Sequence, residues 1–296
     1  MAIEGLKIIG ERINPGFASS KELLDKRDVE GIKRLAENQT EKNADYLTIN
    51  VGDLATSEPD FLVDVTRAVQ SVSPLPLSFD YPNADVQRIC LHAYDPDRAG
   101  GAKPIVNSIS ELRWDMVDVL EIRPARVILM ASERVDDGKP IKNETAEEVA
   151  MTARRMTLRL LDGDCGLTPD DLIVDVSVCP IATDTEGELK RAIDAIRMIG
   201  SDPAMAGVHM VVGLSNVGIM LPKTAVDGRR LSVAIESAFL TETVPYGLDM
   251  ILGTPGRNYK MLGKDDFIYQ GFLNAIDADG FESLMCLREL YVKGGE

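Results

Sequence analysis

Short apolar runs that read as buried strands recur eight times along this chain, and helix-length amphipathic segments separate them. That alternation is the pattern of a parallel sheet whose successive strands are joined by crossover helices. The strand candidates are Lys7–Ile13, Tyr46–Val51, Leu75–Asp80, Lys103–Ile109, Arg126–Ala131, Leu172–Val178, Val208–Leu214 and Asp249–Gly253. Helical stretches begin at Asp28, Glu58, Asn143, Thr185 and Leu231; Asn143 and Thr185 can cap, and Gly163, Gly200 and Gly247 sit where helices should stop. Eight such repeats in 296 residues match the usual length of about 250 residues for a (β/α)8 barrel. The expected fold is therefore α/β, a TIM barrel forming a single domain over residues 1–296. A doubly wound open sheet is the alternative, but no G-x-G-x-x-G follows the first strand.

A hydrophobic content of 45% supplies a core of that size. The formal net charge of −16 argues against nucleic acid or an anionic membrane as partner, because both carry negative phosphates. Charged residues stand early in "MAIEGLKIIGERIN", too early for a secretory apolar region, and the longest apolar stretch is interrupted by His209, Ser215 and Asn216. A cytoplasmic location is expected. Cys90, Cys165, Cys179 and Cys286 form no C-x-x-C pair, so they read as reduced thiols, and no protein-bound metal is expected.

A barrel strand buried on both faces should be apolar, so polar residues at its C-terminal end need a reason. Asn14, Asn50, Asp80, Asn107, Asp175 and Asn216 all occupy or follow such ends. Any one of them could cap the next helix. Together, two carboxylates and several amides at one barrel mouth suit a neutral heterocycle rich in N–H and C=O groups. The loops "GDLATSEP", "ASERVDDGKPIKNE" and "LPKTAVDGRR" follow strands two, five and seven, on the face where barrels build active sites. The usual reactive constellations are missing. His92 falls in a helix, His209 at the wrong end of its strand, and Ser215 lacks the second glycine of a nucleophile elbow. "GTPGRNY" after the last strand matches a barrel phosphate site only in glycine content and position.

The ordered set "IIGERIN", "NVG", "FDYPN", "VNS", "DVSVCP", "GLSNVGIMLP" and "FLTETVPYGLDMIL", from about Lys7 to Leu252, resembles the pterin-binding methyltransferases that move a methyl group between tetrahydrofolate and a corrinoid protein. It is similar also to the folate module of cobalamin-dependent methionine synthase. The resemblance implies that Asp80, Asn107 and Asp175 hydrogen-bond the pterin ring and that Asn216 reaches N5, the atom that gains or loses the methyl. Asn50, Glu11 and Asn14 would line the same mouth. Lys223 and Arg230, with Arg229, come from the loop after strand seven; one of them would meet the glutamate tail of folate or the corrinoid protein, unless they are a solvated basic loop. The sequence departs from the family pattern at Thr48, where several relatives carry an acid, and at Gly253 and Thr254, where an aspartate is common.

The resemblance further implies tetrahydrofolate or 5-methyltetrahydrofolate as substrate, cobalamin carried by a corrinoid partner protein, a place in one-carbon metabolism and a homodimer. A stand-alone chain without fused corrinoid or homocysteine modules favours transfer from methyl-corrinoid to tetrahydrofolate, as in demethylation. Two other readings stay open: dihydropteroate synthase, which shares the barrel and pocket, and a noncatalytic pterin-binding subunit.

Overall fold

A computed structural model describes residues 3–292. The span expected for the domain, 1–296, includes residues 1, 2 and 293–296, which lie outside the described residues. Eight parallel strands close into a barrel. They are β1 (Lys7–Gly10), β2 (Tyr46–Ile49), β3 (Leu77–Asp80), β4 (Ile105–Ile109), β5 (Arg126–Met130), β6 (Leu172–Asp175), β7 (His209–Gly213) and β8 (Met250–Gly253). Each lies within its expected run and all eight are shorter than it; at the C-terminal ends of β1 and β2 this is because Glu11 and Asn50 have already left the ladder to build the mouth. β1 pairs with β8 on one side and β2 on the other, which removes every edge.

The pleat explains where the polar strand ends point. Ile9, Ile105, Ile128, Ile173, Val211 and Met250 form a small apolar cluster of their own, separate from the large core between strands and helices. This is the barrel interior. Side chains two residues further along a strand face the same way, so Glu11 follows Ile9, Asn107 follows Ile105 and Asp175 follows Ile173 onto the interior side. Asp80 follows Ser78 in the same manner, and Asn50 follows Thr48. The intervening residues Leu47, Ile49, Phe79, Val106 and Val174 are fully buried in the outer core.

The helical layer includes Val29–Glu41, Pro59–Val72, Ala84–Ala93, Ala146–Leu161, Glu188–Ser201, Leu231–Thr243 and Phe267–Asp277. The structure corrects the reading of the loop after strand five and of two helix caps, and it adds one irregular crossover. The segment after β5 is an antiparallel hairpin, Glu133–Asp136 against Lys139–Lys142, rather than an open loop. Asp137 and Gly138 at its tip both take positive φ, the conformation that an Asp-Gly hairpin turn requires. The crossover from β4 to β5 is a 3-10 segment, Glu111–Glu121, broken at Arg113. Neither Asn143 nor Thr185 caps a helix: Thr145 makes the capping box of Ala146–Leu161, while the Asp184 carboxylate accepts from the Glu188 and Leu189 amides. Asn143 is fully buried and spends its amide on the Ala131 carbonyl and the Thr152 hydroxyl. Among the described residues no helix is long and apolar enough to cross a membrane.

Candidate active site

The C-terminal ends of β2, β3, β4 and β6 bring four of the expected residues into one row. Asp80 is the register partner of Asn107, and its carboxylate accepts from the Asn50 amide at 3.1 Å. The other end of Asn50 accepts from the Gly52 amide at 2.8 Å, which locks the side chain into its own loop. Asn50 is thus already committed, and it orients Asp80. Asp175 accepts from the Ser177 amide at 2.8 Å, and its second oxygen makes no hydrogen bond among the described residues. The Asn107 side-chain amide makes no hydrogen bond among the described residues.

Burial governs the electrostatics of this row. It raises the Asp80 carboxyl above its ordinary value, partly offset by the Asn50 hydrogen bond. It pushes Asp175 up to about 6, against the pull of the Ser177 amide and with help from the negative charge of Asp80. Two carboxylates close enough to sense each other, neither paired with a cation among the described residues, present acceptors to a neutral ligand with adjacent N–H donors. Directly below, the register partners Thr48 and Ser78 are both fully buried, and their hydroxyls have no partner among the described residues.

A cavity of about 610 Å³ opens above the row. Asp80, Glu11, Asn14, Asn216, Lys223 and Arg230 line it, whereas Asn50, Asn107 and Asp175 sit beside Asp80 rather than in its lining. Asn216 stands on a single helical turn, Leu214–Val217, that starts where β7 ends. Its side chain is exposed and makes no hydrogen bond among the described residues. Gly213 makes that placement possible, because a Cβ there would lie 2.8 Å from the Asn216 amide nitrogen. Asn14 turns its carbonyl oxygen onto the Gly16 amide at 2.8 Å. Lys223 and Arg230 are held near one another by the Thr224–Arg230 bridge and by the Leu231 amide donating to the Lys223 carbonyl at 3.3 Å. Both are exposed and have no carboxylate partner among the described residues.

One part of the site escaped the sequence reading. Glu11 accepts from the Ser215 hydroxyl at 2.6 Å and from the Thr254 hydroxyl at 2.5 Å, tying β1 to the turns after β7 and β8. Arg257 donates to both oxygens of Glu236 at 2.7 Å and reaches Ser215 at 3.5 Å. Glu236 is 1% exposed, and burial pushes its carboxyl up to about 7 despite the arginine. The available signal was composition: "LSVAIESAFL" is buried almost all round, and a carboxylate in such a helix requires a partner. By contrast, His209 lies at the opposite end of the barrel, between Asp249 at 2.5 Å and Asp170 at 3.1 Å. His92 is exposed on its helix. Among the described residues no three His, Cys, Asp or Glu side chains gather as metal ligands.

A closed (β/α)8 barrel whose C-terminal face opens into this polar cavity defines a TIM barrel with its site where such barrels carry theirs. Residues 13–252 match the family described as pterin binding enzyme, and the chain belongs to that family. A relative named methylcorrinoid:tetrahydrofolate methyltransferase, from Eubacterium limosum, is 25% identical over 257 residues, covering 84% of each chain. Among solved structures, dihydropteroate synthase from Thermus thermophilus superposes with a TM-score of 0.58 at 17% identity, over 86% of this chain and 90% of that one. Dihydropteroate synthase from Coxiella burnetii gives 0.56 at 15% identity, over 93% of this chain and 95% of that one. At these identities the two structures speak for the barrel fold.

Proposed function

We propose that this enzyme transfers a methyl group from a methyl-corrinoid protein to N5 of tetrahydrofolate, in the direction of demethylation within one-carbon metabolism. The observation that carries the reading is an unengaged amide, Asn216, at a mouth whose floor is the Asn50–Asp80–Asn107–Asp175 row. The Eubacterium limosum relative bears a name that runs in the same direction.

In this reading Asp80, Asn107 and Asp175 receive the donor and acceptor edge of the pterin, with Asn50 holding Asp80 in place. Glu11 and Asn14 border the same cavity, and Lys223 and Arg230 meet the carboxylates of the glutamate tail. The corrinoid, carried by a separate partner protein, supplies the methyl group and keeps the electron pair of the broken bond. N5 becomes positive as its new bond to carbon forms, and the Asn216 carbonyl oxygen, accepting from N5–H, stabilises that charge. The N5 proton then leaves to water. An amide suits the position because it can accept or donate without itself binding a proton at neutral pH. Neither a nucleophilic side chain nor a general acid is needed, since the reacting groups belong to the substrates.

A residue that acts mainly in the transition state lowers rate more than affinity when removed. Asn216→Ala is expected to slow single-turnover methyl transfer by about 100-fold, comparable with loss of one oxyanion-hole donor, while weakening tetrahydrofolate binding by less than about tenfold. A variant with wild-type single-turnover rates would remove Asn216 from the chemistry. Formation of dihydropteroate from p-aminobenzoate and a pterin pyrophosphate would instead favour the synthase reading. Sedimentation would test the homodimer.

A further inference from the structure

A second cavity, of about 600 Å³, lies between the helix Leu231–Thr243 and the loop that follows β8. It shares Arg230 and Arg257 with the pterin cavity, so the two adjoin through a cationic wall. Four cations line it: Arg229, Arg230, Arg257 and Lys260. Internal partners satisfy two of them. Asp266 takes Arg229 with bonds of 2.7 and 3.0 Å, and Glu236 takes Arg257. Arg230 and Lys260 are exposed, and no carboxylate pairs with either among the described residues. This concentration of unpaired positive charge stands on a chain with 48 acidic and 32 basic residues, where acidic partners are plentiful.

The cavity is also built to hold its shape. The Lys260 amide donates to the Ser237 hydroxyl at 3.3 Å and the Leu262 amide to the Thr241 hydroxyl at 2.9 Å, fastening the loop along the helix. Asp266, besides clamping Arg229, caps the helix Phe267–Asp277 through the Ile268 and Tyr269 amides. A rigid cationic groove that continues outward from a small-molecule site fits an extended, anionic appendage of that molecule.

We propose that this second cavity is a subsite for the γ-linked glutamate tail of folate polyglutamates, an inference that rests on the pterin reading of the first cavity. The first glutamate would meet Lys223 and Arg230 at the shared wall, and each later glutamate adds one carboxylate directed towards Lys260. The attraction is between exposed charges, so it is screened by salt.

The test is the affinity of the full chain for tetrahydrofolate mono-, tri- and pentaglutamate, measured at low and physiological salt in the wild type, Lys260→Ala and Lys260→Glu. The wild type is expected to bind the longer forms about tenfold more tightly than the monoglutamate, with the advantage shrinking as salt rises. Lys260→Ala should lose most of that advantage and Lys260→Glu should reverse it, while both keep monoglutamate affinity within about twofold. Monoglutamate binding with no dependence on tail length overturns this inference alone, as does a tail-length advantage that survives both substitutions. Absence of binding by every folate overturns the pterin reading and this inference with it.

Discussion

Asp175→Asn should make the protein more stable and a poorer binder of folate, with the two effects tied to one ionisation. The Asp175 carboxyl is raised from 3.8 to about 6, chiefly by burial. A shift of about 2 units corresponds to about 3 kcal/mol at about 1.4 kcal/mol per unit. Because the folded value lies above the unfolded one, the folded state carries no penalty below about pH 4, where the group is protonated in both states. The penalty grows as pH rises and is complete above the folded value of about 6. Asparagine keeps the acceptor that takes the Ser177 amide and removes only the charge. The variant should therefore gain about 2–3 kcal/mol at pH 8, a rise in melting temperature on the order of 5 °C for a chain of this length, and almost nothing at pH 4. Folate binding moves the other way. Losing a charged acceptor costs about 1.5–3 kcal/mol, or roughly 10- to 100-fold in affinity at pH 8. Wild-type affinity should fall as pH drops through about 6, while that of the variant stays flat across the same range. Calorimetric melting and equilibrium binding from pH 4 to 8 read both effects. A stability gain of equal size at pH 4 and pH 8, or a variant less stable at pH 8, would refute the burial argument.

Two further substitutions separate the mouth from the floor of the barrel. Gly213→Ala places a methyl group 2.8 Å from the Asn216 amide nitrogen, so it should displace that side chain and slow methyl transfer at least about tenfold, with circular dichroism unchanged; unaltered turnover would contradict the placement of Asn216. His209→Ala removes a side chain held by Asp249 and Asp170, which raise its pKa above the ordinary value despite partial burial. Its ionic contribution is full below the unfolded value and lost as pH rises through the higher folded one. The variant should thus be about 1–2 kcal/mol less stable near pH 6 and closer to wild type in alkaline buffer, with folate affinity unchanged; a loss of folate affinity would contradict a purely structural role at the far end of the barrel.

The strand ends were legible because a doubly buried strand tolerates a polar residue only for a reason. The two-residue pleat then carries Glu11, Asn50, Asp80, Asn107 and Asp175 to one side. The Glu11 bonds to Ser215 and Thr254 were not legible, since they join residues 204 and 243 positions apart and exist only once the barrel closes. Asn143 misled for a different reason. Its residue type fits an N-cap, but tertiary bonds to Ala131 and Thr152 claim the amide, and Thr145 takes the cap with Glu148. The hairpin after β5 did carry a signal in its Asp137–Gly138 pair, but its strands are short and charged, so no apolar alternation announced them.

The reaction proposed for this mouth moves a methyl group between a corrinoid and N5 of a tetrahydropterin. Absorption spectroscopy of methylcobalamin incubated with tetrahydrofolate and catalytic amounts of the protein follows demethylation of the corrinoid directly, with 5-methyltetrahydrofolate quantified at the end. The expected result is loss of the methylcobalamin spectrum in step with formation of methyltetrahydrofolate, dependent on Asn216. An unchanged spectrum in both directions of transfer, with free methylcobalamin and with a methylated corrinoid protein, would contradict it.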